Sequence, residues 1–338
     1  MKAYAIKAKE VVEEVKIEEP EVGPKDVLVD IHYVGLCGSD LNAYLGKMPF
    51  VTFPRIPGHE ISGIVTSKGP DVPDTIQIGD KVTLSPYTSC GSCPACRQGR
   101  PNTCEFNQTL GVQRDGGLQS RISVPYEKIY TSSKLTMEEL ALVEPLSVGY
   151  HAANMARVCE TDTVLIIGCG TIGMGALCAA IRKGASVIAL DIDDRKLNQA
   201  RKFGAKFTIN SQKTDVQKEI SEITNNEGVS AVIEAAGLSA TQRMAVELAA
   251  FAGRIVYVGY AKSDVELNSQ LIVKKELTIS GSRNALNVFP SVINMIEKEE
   301  MPFNDMITKI FPFDQTSDAF EYWKNNTGEV SKVLINMK

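Results

Sequence analysis

Four cysteines crowd into fifteen residues of this chain, Cys90, Cys93, Cys96 and Cys104, spaced C-x2-C-x2-C-x7-C and interleaved with Gly91, Pro94 and Gly99. Four thiolates complete the tetrahedral shell of zinc and leave no position for a substrate, so this lobe, about residues 88–106, is expected to hold a closed, structural ion. Some ferredoxin runs also open C-x2-C-x2-C, but their last gap is three residues followed by proline. Here the gap is seven and Glu105 follows, which favours zinc over an iron–sulfur cluster.

A second set is more dispersed. Only three histidines occur, and one of them sits in Pro57-Gly58-His59-Glu60. With Cys37, in Gly35-Leu36-Cys37-Gly38-Ser39-Asp40, it supplies one thiolate, one imidazole and one carboxylate. That composition, with a position left for water or substrate, is what a catalytic zinc centre uses. A further acid, Glu144 in Val143-Glu144-Pro145-Leu146-Ser147, falls where two predicted domains meet and could reach the same metal. Taken singly each residue has a bland explanation, since a lone histidine is usually a hydrogen-bonded structural residue. The conjunction points to the metal.

A third set concerns phosphate. Val164-Leu165-Ile166-Ile167 runs directly into Gly168-Cys169-Gly170-Thr171-Ile172-Gly173, a strand entering G-x-G-x-x-G. Such glycines permit a tight turn, close approach of backbone to a pyrophosphate, and close helix–strand packing, with the phosphates at a helix N-terminus. The next apolar strand, Ser186-Val187-Ile188-Ala189-Leu190, ends in Asp191, where an acid can accept hydrogen bonds from adenosine ribose hydroxyls. A carboxylate there repels a 2′-phosphate, so NAD is favoured over NADP. Arg195 weighs slightly the other way, because an arginine nearby could bind that phosphate or stack on adenine. Asp191 has a simpler alternative as a cap of the following helix. The turns Ala235-Ala236-Gly237 and Val258-Gly259 fall where backbone would line the nicotinamide half of such a site.

These groups need a frame. With 43% hydrophobic and 23% charged residues, 338 residues read as two ordinary globular domains. Residues 1–146 are β-branched and broken by Gly, Pro and Asp, which predicts strands and loops. Over 147–285 short apolar runs, at 163–167, 186–190, 206–209, 229–233, 254–258 and 276–280, alternate with helical patterns at 171–183, 193–203, 214–225 and 239–250. This rhythm predicts a doubly wound parallel sheet, so the fold class is α/β. A helix near 287–299 and strands near 307–312 and 332–336 break the rhythm, and 286–338 is expected to return to the first domain.

In these motifs, and in their order, the chain resembles the zinc-containing medium-chain dehydrogenase/reductase superfamily over essentially its whole length. The resemblance implies a GroES-like catalytic domain, a Rossmann domain and a short C-terminal return. It implies a catalytic zinc held by Cys37, His59 and Glu60 or Glu144, with Asp40 orienting His59 and Ser39 starting a proton relay from a substrate hydroxyl. Several relatives finish that relay with a histidine five residues after the metal cysteine. This chain has Asn42, which cannot act as a base. Softer matches, Met48-Pro49-Phe50, Phe53-Pro54-Arg55, Gly111 to Gly117 and Gly281 to Ala285, are similar to the sorbitol and threonine dehydrogenase branch and to hexonate dehydrogenases of the L-galactonate type. Arg283 in the last of these is a candidate clamp for a substrate carboxylate or phosphate, or equally an ordinary salt-bridge partner.

The expected activity is therefore hydride transfer from a secondary alcohol of a small polar substrate, a sugar acid or polyol, to NAD, with two zinc ions per chain. Alternatives are a polyol-phosphate or L-threonine dehydrogenase, a zinc-free reductase on the same frame, and a non-catalytic nucleotide sensor. A net charge of −5 and a pI near 5.5 argue against a nucleic-acid partner. No secretory signal is visible at Met1-Lys2-Ala3-Tyr4, so a cytoplasmic location is expected. The uncharged stretch 163–181 is long enough to span a bilayer, but its glycines suit a strand, turn and helix, so no membrane association is expected. The family suggests a homodimer or homotetramer.

Overall fold

The computed structural model describes residues 1–49 and 51–338; Phe50 of the Met48-Pro49-Phe50 match lies outside them. The chain opens with β1 (Lys2–Ala8), β2 (Val11–Lys16), β3 (Asp26–Leu36), α1 (Gly38–Tyr44), β4 (Glu60–Lys68), β5 (Lys81–Leu84), α2 (Pro94–Arg97), β6 (Arg121–Pro125) and β7 (Ile129–Thr131). A long helix, α3 (Met137–Met155), leads to β8 (Thr163–Ile167), α4 (Thr171–Arg182), β9 (Ser186–Asp191), α5 (Asp194–Lys202), β10 (Phe207–Asn210) and α6 (Val216–Ile223). Then follow β11 (Val229–Glu234), α7 (Ser239–Leu248), β12 (Ala249–Tyr257), α8 (Ser269–Lys275), β13 (Thr278–Gly281), α9 (Phe289–Glu297), β14 (Ile307–Pro312), α10 (Thr316–Asn325) and β15 (Lys332–Asn336).

These elements form two compact units, one of residues 1–144 with 289–338, the other of 145–288. In the first, a mixed sheet runs in the order β14-β15-β3-β4-β5-β7, with β6 also paired to β3 and β1–β2 as a separate hairpin. The backbone of β3 is eleven residues long because alternate side chains, Val27, Val29 and Ile31, are fully buried on one face. The C-terminal strand β15 pairs antiparallel with β3, Val333 opposite Leu36. That pairing brings the chain end to the strand that leads into Cys37.

The second unit is a six-stranded parallel sheet in the order β10-β9-β8-β11-β12-β13. Its central strands β8 and β11 are apolar along most of their length, with Val164–Ile167 and Ala231–Ile233 almost fully buried, as strands covered on both faces must be. The order reverses between β8 and β11, which makes the C-terminal end of β8 the switch point at which such sheets bind ligands. The stretch 163–181 is β8, a turn and most of α4, and no helix among the described residues is long and apolar enough to cross a membrane.

Differences from the sequence expectation have local causes. The strand expected at 254–258 begins at Ala249, because Ala249 already pairs with Val229 and the chain stays extended through a register shift. The helix expected at 214–225 spans only Val216–Ile223, capped by Asp215 and ended by Thr224, whose hydroxyl bonds back to the Ile220 carbonyl. Helices α1, α2, α3, α8 and α10 lie outside the expected helical patterns: α3 is buried along Leu140–Val143 and at Leu146 and so shows no single apolar stripe, and the others are too short to show a clear period.

Candidate active site and metal centres

Cys37 is the residue between β3 and α1, and Glu60 opens β4 directly opposite Gly35. A Cβ on Gly35 would lie 2.1 Å from Glu60 Oε2, so glycine here leaves the volume that the carboxylate fills. Across this rung the Sγ of Cys37, a ring nitrogen of His59 and a carboxylate oxygen of Glu60 all lie within 4.8 Å of one another. One soft, one intermediate and one hard donor at that separation suit zinc.

Asp40 stitches the two ligand segments together. Its Oδ2 accepts from the Cys37 amide at 2.9 Å and its Oδ1 from the Gly58 amide at 3.2 Å. The same Oδ1 stands 3.9 Å from His59 Nδ1, too far for a hydrogen bond, and that nitrogen is buried without a partner. Burial alone would lower the His59 value, but the Cys37 sulfur and the Asp40 carboxylate outweigh it and hold it well above the ordinary imidazole range. The Ser39 hydroxyl is also buried and unpartnered. Buried polar atoms rarely remain so, and both atoms, without a partner among the described residues, are open to further groups.

Two residues here escaped the sequence. Lys332, the first residue of β15 and 2% exposed, donates at 2.6 Å to both Glu60 oxygens and at 3.0 Å to the Leu36 carbonyl. Burial disfavours its charge, yet Glu60 and Cys37 hold its ammonium above the ordinary lysine range. The Tyr87 hydroxyl donates to Glu144 Oε1, and both residues are buried. Burial, then the Glu144 charge, pushes that phenol well up. The only trace of Lys332 in the sequence is a lone cation opening an otherwise apolar strand. Tyr87 leaves no trace.

The cysteine lobe is built differently. Cys90, Cys93, Cys96 and Cys104 bring their four Sγ atoms within 4.8 Å of one another, with 3.9 Å between those of Cys93 and Cys104. The amide of Cys93 donates to Cys90 Sγ at 3.3 Å, and that of Cys90 to Cys104 Sγ at 3.3 Å. The amides of Ser92 and Cys93 hold the Cys90 thiol down to about 6.

In the parallel sheet, β8 ends at the glycine turn and α4 starts on it, with Gly170 as its N-cap. A Cβ on Gly173 would stand 1.8 Å from the Gly168 carbonyl oxygen, so only glycine allows this helix to pack on this strand. Beside Gly170, by contrast, a Cβ would meet nothing within 4 Å. The first turn, with Thr171 and Ile172, therefore opens onto free volume at a helix N-terminus, where a phosphate fits.

Asp191 closes β9 with Oδ2 on the Cys169 amide at 2.7 Å and Oδ1 on the amides of Ile192 and Asp193 at 2.7 and 3.0 Å. It ties the glycine turn to the end of β9. It is not the helix cap: Asp193 caps α5, and Arg195 forms an ion pair with Asp193 at 2.9 Å. Gly237 lies three residues beyond β11, and Val258 and Gly259 directly follow β12. Exposed Ile192, Leu238 and Tyr260 each come directly after one of these segments, an apolar fringe that periodicity does not reveal. Arg283 is exposed two residues past β13.

Comparison with known proteins agrees with both halves. Residues 23–134 match the alcohol dehydrogenase GroES-like domain and residues 171–298 the zinc-binding dehydrogenase domain. The chain is 31% identical to L-galactonate-5-dehydrogenase of Escherichia coli K12, covering 94% of each chain. It is 33% identical to sorbitol dehydrogenase of Bacillus subtilis, over 95% of this chain and 94% of that one. A crystal structure of an alcohol dehydrogenase from E. coli CFT073, complexed with NADH, superposes with a TM-score of 0.93 at 30% identity, covering 100% and 99% of the two chains. This chain is an oxidoreductase that belongs to the zinc-containing medium-chain alcohol dehydrogenase family, among its polyol and sugar-acid dehydrogenases.

Proposed function

We propose that this oxidoreductase takes a hydride from the secondary alcohol of a small polar substrate, a sugar acid such as L-galactonate or a polyol, and passes it to NAD. Cys37, His59 and a carboxylate from Glu60 or Glu144 would hold the catalytic zinc, and Cys90, Cys93, Cys96 and Cys104 a structural one. The observation that carries this is the convergence of three ligand types, Cys37, His59 and Glu60, within 4.8 Å.

Zinc in such a set supplies Lewis acidity that makes an alcohol easier to deprotonate near neutral pH, and a nicotinamide supplies the hydride acceptor. The chain's own groups do the rest. Ser39, whose hydroxyl has no partner among the described residues, would accept a hydrogen bond from the substrate hydroxyl and hand its own proton on as that one arrives. Asn42 is exposed and cannot be a base, so the proton passes on to water or another group. Lys332 balances the negative charge that Cys37, Glu60 and Glu144 concentrate in a buried space. Of the two acids, Glu60 converges with Cys37 and His59 within 4.8 Å and is held by Lys332, while Glu144 accepts from the Tyr87 hydroxyl.

For the cofactor, Gly168, Gly170, Thr171, Ile172 and Gly173 would cradle the pyrophosphate and Asp191 the ribose. NAD is favoured over NADP because the Asp191 carboxylate would repel a 2′-phosphate and Arg195 is paired with Asp193. Gly237, Val258 and Gly259 would face the nicotinamide half, and Arg283 would clamp a substrate carboxylate. The working form would be a homodimer or homotetramer.

The test is a screen of NAD and NADP reduction across hexonates, pentitols, phosphorylated hexitols and L-threonine. The highest kcat/KM is expected for a hexonate or polyol with NAD. Turnover of L-threonine alone, or of none of these compounds, would overturn the substrate class.

A further inference from the structure

Glu234, the last residue of β11, is fully buried and belongs to neither metal cluster. Its Oε1 accepts three hydrogen bonds, from the amides of Ala236 at 2.9 Å and Gly237 at 2.8 Å and from the Thr241 hydroxyl at 2.8 Å. Its backbone carbonyl accepts from the amides of Val258 at 2.8 Å and Gly259 at 3.1 Å. One residue thus gathers the turn after β11 and the turn after β12. The two turns touch: a Cβ on Gly259 would lie 2.2 Å from the Gly237 amide nitrogen and 3.0 Å from Glu234 Oε2. Gln242 adds a bond from its Nε2 to the Gly259 carbonyl at 3.1 Å.

A loop seldom needs a buried acid to fold, and this one carries a cost. Among the described residues Glu234 Oε2 has no well-formed hydrogen bond, and burial pushes the carboxyl up against the pull of Thr241, Gly237, Ala236 and Gln242. A cost retained at the C-terminal edge of a parallel sheet, one strand from its switch point, suggests a positional role. In the order β9-β8-β11-β12 the adenosine end of a dinucleotide belongs on the β9 side and the nicotinamide end on the β11 and β12 side. With the amides of residues 236, 237, 258 and 259 all spent on Glu234, these turns can turn only their remaining carbonyl oxygens to a ligand. A carboxamide NH2 group is such a ligand.

We propose that Glu234 is a positioning residue for the nicotinamide half of the cofactor, fixing the two turns so that their carbonyl oxygens face its carboxamide. This rests on the proposed binding of a nicotinamide dinucleotide. The requirement is an acceptor oxygen at the right reach, with no need of a negative charge, so Glu234→Gln supplies it and Glu234→Asp, one methylene short, does not.

The experiment titrates NADH and ADP-ribose, which lacks the nicotinamide, into the wild-type enzyme and both variants, by fluorescence for NADH and calorimetry for ADP-ribose. E234D is expected to weaken NADH binding about tenfold, the loss of one well-made buried hydrogen bond, while ADP-ribose binding stays within about threefold. E234Q is expected to bind both within about threefold of wild type. NADH binding by E234D at wild-type strength would overturn the proposal. So would a loss of ADP-ribose affinity equal to that of NADH, or a tenfold loss in E234Q. A wild-type enzyme that binds ADP-ribose but no NADH removes the nicotinamide role alone, and one that binds neither removes the dinucleotide site with it.

Discussion

The two candidate metal centres are both built around cysteine, yet their side chains are held in opposite ways. The lobe draws all four thiols from residues 90–104 and quiets their charge with backbone amides of the same loop. The inner set draws Cys37 from the end of β3, His59 and Glu60 from the start of β4, Glu144 from α3 and Lys332 from β15, and balances charge with charge. A site fed by amides needs only its own loop. A site balanced by buried side chains needs the whole unit to be folded, and that dependence is a reasonable basis for separating a structural metal from a reactive one.

Substitutions should break the comparison at its two ends. Cys37→Ala is expected to lower kcat/KM about 10⁴-fold in steady-state assays with little change in melting temperature, since it removes a proposed ligand at a half-buried position. Lys332→Met leaves the Glu60 carboxylate buried without its cation, and should cost about 3–5 kcal/mol in denaturant unfolding. Lys332→Arg should recover part of that. In the lobe, Cys96→Ser should cost about 3 kcal/mol of stability while the folded fraction keeps most of its kcat, the reverse of the Cys37 result. Ser39→Ala should lower kcat/KM about 10²-fold, with zinc content and melting temperature unchanged.

The smallest effect sharpens the distinction between amide-fed and charge-paired groups. Burial pushes Asp162 up, but the Cys159 amide, Arg254 and Ser230 outweigh it and hold the carboxyl below its ordinary range. A depressed carboxyl stabilises the fold above the range in which the unfolded group titrates, and that stability is lost as pH falls through the lower folded value. Asp162→Asn should therefore cost on the order of 2 kcal/mol at pH 7 and progressively less toward acid pH, as read by urea unfolding at each pH.

The same distinction separates what could be read in the sequence from what could not. The lobe spacing and the strand-to-glycine entry at 164–173 are local, and a local pattern survives in one dimension. Cys37 and His59 stood out because cysteine and histidine are scarce and chemically narrow. Lys332 lies 272 residues from Glu60, and only the antiparallel pairing of β15 with β3 brings them together. Tyr87 and Glu234 are ordinary residue types whose role lies in one hydrogen-bond partner or in two turns, and no periodicity encodes that. The passage from one unit to the other falls inside α3, between Glu144 and Pro145, where helical texture hides it.

The central claim is that one chain holds two zinc ions of different character, and metal analysis of purified, desalted protein tests it most directly. Two zinc ions per chain are expected for the wild type, one for Cys37→Ala with the fold intact, and loss of activity in step with loss of the inner ion. A wild-type protein that turns over its alcohol substrate at full rate with one zinc or none, or a Cys37→Ala protein that keeps both ions, would contradict the account.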